Sequence, residues 1–80
     1  MQTVRVEKED IKNGMKMSNV CCPVALALNR TFQTTDVFVG CGVLRVGDKL
    51  RDVPRRVEKF IHRFDSGVRV RPFSFEIDIP

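Results

Sequence analysis

The architecture of this chain turns on residues 54–67, Pro54-Arg55-Arg56-Val57-Glu58-Lys59-Phe60-Ile61-His62-Arg63-Phe64-Asp65-Ser66-Gly67. Val57, Phe60, Ile61 and Phe64 stand at i, i+3, i+4 and i+7, so a helix gathers them on one apolar face. Pro54 suits the start of that helix, where its missing N–H has no partner to lose, and Gly67 reads as its stop. Asp52, just upstream, reads as a cap for the free N–H groups of the first turn. Arg55, Arg56, Lys59 and Arg63 occupy other helical positions, with Glu58 and Asp65 among them.

Outward from this helix, the periodicity changes. Phe73, Phe75, Ile77 and Ile79 alternate with Ser74, Glu76 and Asp78, the period-two pattern of a half-buried strand. Pro72 separates this strand from Val68-Arg69-Val70-Arg71, which also alternates. Upstream, 37–46 is β-rich, Gly47-Asp48 reads as a two-residue hairpin turn, and Lys49-Leu50-Arg51 reads as a short return strand. Gly40 and Gly42 suggest a bulge, a bend or a close backbone approach.

Earlier still, Cys22-Pro23 opens a second helix whose Val24-Ala25-Leu26-Ala27-Leu28 core is apolar all round, so it is expected to be buried on most sides. Phe32 closes its apolar stripe, Arg30 marks where it begins to surface, and Gln33-Thr34-Thr35-Asp36 is a turn. Thr3-Val4-Arg5-Val6-Glu7 alternates as a first strand. Lys8 to Gly14 reads as one short helical turn ended by Asn13-Gly14, and Met15 to Val20 as a loop. The expected order is β-α-β-β-α-β. It predicts an α+β domain over residues 1–80, with a small antiparallel sheet and two helices on one face, ferredoxin-like in outline. A sheet face left open in such a fold can be completed by a second copy.

Length and composition narrow the function classes. A chain of 80 residues buries roughly 60% of its unfolded surface, which leaves little room for a deep substrate cavity beside a core. The apolar share of 42% and charged share of 30% are those of a globular protein. The longest apolar run, Val24 to Leu28, is five residues, far short of the ~20 of a membrane span. The N-terminus enters a strand pattern directly, with no signal-peptide pattern. Cys21, Cys22 and Cys41 are an odd set with an adjacent pair, a poor disulfide framework. The expectation is therefore a cytoplasmic protein with reduced thiols.

The net charge is +4, and residues 42–71 hold nine Arg/Lys against four acids. Arg51, Arg55, Arg56, Lys59, Arg63, Arg69 and Arg71 are the candidate partner- or anion-binding residues. Such a surface suits an acidic protein, nucleic acid, or a small anion such as a nucleotide at a dimer seam. Ordinary solvated helix and loop faces carry the same composition. The exposed aromatics of a single-strand binder are missing, because the Phe residues fall at core periodicities, and base-reading signatures are absent.

Cys22 is the candidate reactive thiol, since a helix N-terminus lowers a thiol's pKa. The plainer reading is a small apolar residue packed in the core, where free Cys is common. Cys21, Cys22, Cys41 and His62 match a Cys3His zinc set in number but not in spacing, so no metal or cofactor is expected. With His62 the one histidine and no phosphate loop around Gly40 and Gly42, no catalytic set is readable and the expectation is a non-enzyme.

Two blocks carry a resemblance. Asn13-Gly14 followed by Cys22-Pro23-Val24-Ala25-Leu26-Ala27-Leu28 is the first; Val53-Pro54, Val57, Phe60-Ile61, Phe64-Asp65, Gly67 and Val70-Arg71-Pro72-Phe73-Ser74-Phe75-Glu76 is the second. Together they span about half of the chain, and the chain resembles small proteins encoded by bacteriophages and prophages that share a Gly…Cys-Pro-Val-Ala-Leu-Ala block and a Phe-Asp-x-Gly…Pro-Phe-Ser-Phe block. The group supplies no activity to carry over. The resemblance implies a bacterial host cytoplasm and a role in binding a host protein, in host modulation or as an anti-defence inhibitor, as a monomer or a homo-oligomer.

Overall fold

The computed structural model describes residues 1–79. Five strands and three helices follow in the order β1 (Gln2–Val6), α1 (Lys8–Asn13), α2 (Pro23–Phe32), β2 (Val37–Val39), β3 (Val43–Val46), β4 (Lys49–Asp52), α3 (Arg55–Asp65) and β5 (Phe73–Ile77). The α+β class holds, but a single ferredoxin-like sheet does not form. Among the described residues β1 pairs only with β5, antiparallel, and β2-β3-β4 form a separate antiparallel meander. β2 is only three residues long, and the Val39 N–H donates to the Asn19 carbonyl at 2.8 Å. The outer edge of β2 thus meets the loop after α1 rather than another strand.

Both sheets and the helices feed one core. Val4, Val6, Val24, Ala25, Ala27, Leu28, Leu44 and Val57 are essentially inaccessible to solvent. Burying each of the larger side chains contributes about 1.5–3 kcal/mol relative to exposure. The register Val4↔Phe75 and Val6↔Phe73 puts the apolar residues of β1 and β5 on one face, leaving Thr3, Arg5, Ser74 and Glu76 in water. α2 lies against this sheet, and the small side chains of Ala25 and Ala27 permit close packing. On α3, Val57, Phe60 and Phe64 are buried and Ile61 half-buried, the face its periodicity predicts. Ile79 is buried beyond the end of β5, so the apolar alternation continues past the last paired residue.

The short helical stretch expected from Lys8 to Asn13-Gly14 is present, and two other local expectations change. Lys8 to Asn13 forms a six-residue helix, held at its start by the Glu7 N–H donating to Asp10 Oδ2 at 2.8 Å. Asp52 does not cap α3: it closes β4 opposite Val43, and Pro54 stands at the N-cap with no side-chain hydrogen bond. Val68 to Arg71 forms no strand, because β1 ends at Val6, opposite Phe73, and offers no partner beyond it. Two glycines meet definite demands. Gly67 ends α3 at φ +81°, with its N–H on the Phe64 carbonyl and the next on that of Arg63. At Gly40 the Phe38 ring lies where a Cβ would stand, 2.7 Å away, the close approach the sequence suggests. Among the described residues no helix is long and apolar enough to cross a membrane.

Candidate functional site: a basic groove between two helices

The position of α1 sets the site. Asp10 is 4% exposed, and its carboxylate accepts from both guanidinium nitrogens of Arg30 on α2, at 2.8 and 2.9 Å. Arg30 also donates to the Arg5 carbonyl at 2.6 Å, so one side chain ties α1, α2 and β1 together. The carboxylate beside it holds the Arg30 guanidinium above its ordinary range. With Asp10 turned inward, Lys8 and Lys12, at i and i+4, stand on one side of α1.

Across from them stand Arg56, Lys59 and Arg63 of α3, at i, i+3 and i+7, spanning about 10 Å along the helix axis. Arg69 and Arg71 close the third side. The seven cations, half of the chain's fourteen Lys and Arg, ring an open groove of about 1170 Å³ that no acid lines. Among the described residues none of the seven is ion-paired; the ion pairs join Arg30 to Glu7 and Asp10, and Arg45 to Asp36. The groove's apolar lining is Ile11, Phe60, Val70, Pro72 and Phe73. The Phe60 and Phe73 rings lie 4.6 Å apart, and the Arg56 guanidinium sits 5.9 Å over Phe73.

The structure thus brings together Arg56, Lys59, Arg63, Arg69 and Arg71 of the residues expected from sequence. It places two elsewhere. Arg51 is spent on backbone, donating from Nε to the Asp78 carbonyl at 2.8 Å and from a terminal nitrogen to the Leu50 carbonyl. Arg55 is exposed and outside the groove. Sequence reasoning missed Lys8 and Lys12. Their signal was a cation pair at i, i+4 flanking Ile11, legible only once residues 8–13 are known to be a helix that packs.

Cys22 caps α2, its Sγ accepting from the Ala25 N–H at 3.4 Å, and it is 2% exposed. Burial pushes its thiol up. The backbone N–H groups of Ala25 and Val24 pull the other way with less effect, and the Asp65 carboxylate adds to the rise. The lowered pKa expected of a helix N-terminus is therefore reversed, because desolvation outweighs the dipole. All three thiols are free, Cys21 half-buried and Cys41 exposed. Among the described residues no three His, Cys, Asp or Glu side chains converge, and His62 is exposed on α3. A second surface, the outer face of β2-β3-β4, shows Phe38, Val43 and Leu50 to solvent.

No protein-family model, curated protein or solved structure matches the chain.

Proposed function

We propose that this protein is a non-enzymatic binding protein that takes an acidic surface of a partner protein into the groove between α1 and α3. The observation that carries this reading is the ring of seven cations with no acid and no ion pair among them. Like charges gathered around one groove repel one another, and an anionic partner relieves that repulsion. The apolar floor adds a contact that a purely electrostatic surface lacks. The resemblance to phage and prophage proteins makes a bacterial host protein the expected partner, engaged in host modulation or defence inhibition in the host cytoplasm.

A second reading, a nucleic acid or nucleotide, is favoured by the Arg56–Phe73 pair, a platform on which a base can stack. Fluorescence anisotropy separates the two, with labelled poly-glutamate and labelled oligo-dT titrated at several salt concentrations. Tighter binding of poly-glutamate supports the acidic-protein reading, and tighter binding of oligo-dT replaces it with the second. Reversing Arg56 and Arg63 to Glu weakens either probe by about tenfold or more at low salt. Unchanged affinity in that variant removes the groove from both.

A further inference from the structure

The alternating segment Val68-Arg69-Val70-Arg71 finds no use within the fold. Its first N–H completes the end of α3 on the Arg63 carbonyl. Beyond that, the backbone N–H and C=O groups of Arg69, Val70 and Arg71 have no hydrogen-bond partner among the described residues. The segment leads directly into β5, whose pairing with β1 stops at Val6↔Phe73, because the chain turns into α1 at Glu7. Pro72 restricts Arg71 to extended conformations. The result is an arm of unpaired backbone forming one wall of the basic groove.

Resting on the acidic-partner reading, we infer that the groove takes its partner as an extended acidic segment, which adds to this arm as a strand. Main-chain hydrogen bonds to residues 69–71 supply the pairing. An alternating segment then turns one row of side chains toward the floor at Val70 and Phe73, and the other, carboxylate-bearing, toward Lys8, Lys12 and the arginines of α3. Nucleic acid lacks the alternating N–H and C=O groups that such pairing requires. The unpaired arm therefore favours a peptide over an oligonucleotide.

The test uses the full chain and labelled acetyl-(Glu-Val)4-amide as the probe, in fluorescence anisotropy at low salt. Two further peptides carry N-methyl groups, one on every Val nitrogen and one on every Glu nitrogen, each blocking one edge of an extended strand while preserving charge. Strand addition predicts that at least one of the two binds about tenfold more weakly than the parent, the loss of roughly two net hydrogen bonds. If both bind within twofold of the parent, strand addition is overturned while the acidic-partner reading stands. If the parent peptide does not bind and oligo-dT does, both are overturned in favour of nucleic acid. Binding of neither probe removes the groove reading and strand addition together.

Discussion

Replacing Asp10 by Ala tests how the groove is held together. Asp10 lines no part of the groove, and its removal takes the net charge from +4 to +5. Counting charges alone therefore predicts tighter binding of a polyanion. The structure predicts the opposite. Asp10 Oδ2 accepts the Glu7 N–H at the start of α1, a cap-type bond of about 1 kcal/mol. Its two hydrogen bonds from Arg30 are charge-assisted. The Arg30 side chain is 45% exposed, which discounts them to about 1–2 kcal/mol, between a surface pair and a buried one. The sum is about 2–3 kcal/mol of global stability, read as a fall of about 2–3 M in the urea midpoint at an m-value near 1 kcal/mol/M. Arg30→Ala costs a similar amount because it leaves the buried carboxylate with one partner. The double variant loses less than the two singles together, by a coupling of about 1–2 kcal/mol. With α1 released, Lys8 and Lys12 leave the groove, and poly-glutamate binds about three- to tenfold more weakly despite the added positive charge. Additive single and double variants, or tighter binding by Asp10→Ala, refute the role assigned to this clamp.

Other outcomes follow from single positions. Leu28→Ala, at a site with no solvent exposure, costs about 2–5 kcal/mol by calorimetry or urea melts, from lost transfer energy and a residual cavity. Gly67→Ala costs about 1 kcal/mol through its φ of +81°, since the new Cβ meets only the mobile end of Lys16, 3.4 Å away. In native protein an aromatic disulfide reagent labels Cys41 first, then Cys21, and Cys22 only at the rate of unfolding. The Cys22 thiol also titrates above its ordinary value of 9.0 when folded. The folded state then holds that proton more tightly than the unfolded state. Its contribution to stability is complete below pH 9 and is lost as pH rises toward the folded-state value. Cys22→Ser keeps an acceptor for the Ala25 N–H and removes this alkaline loss, checked by urea melts between pH 7 and 10.

The elements of this protein are local events, and local pattern determined them. The three-to-four-residue spacing of Val57, Phe60, Ile61 and Phe64 makes a helix, and the alternation from Phe73 makes a strand, in any surroundings that bury their apolar faces. The Gly47-Asp48 turn and the stop at Gly67 are likewise set within a few residues. How the elements pair is a competition between edges distant in sequence. A loop carbonyl at Asn19 meets the edge of β2 while β1 pairs with β5, an outcome that no periodicity encodes. The site divides the same way. Charge composition singled out Arg56, Lys59, Arg63, Arg69 and Arg71, because an excess of cations is visible in a string of letters. Only the tertiary structure spent Arg51 on a carbonyl, used the inward carboxylate of Asp10 to bring Lys8 and Lys12 alongside, and left the 69–71 backbone unpaired in the groove wall. Each of these depends on where a buried polar group finds its partner across the fold, and that distance is set by packing rather than by sequence separation.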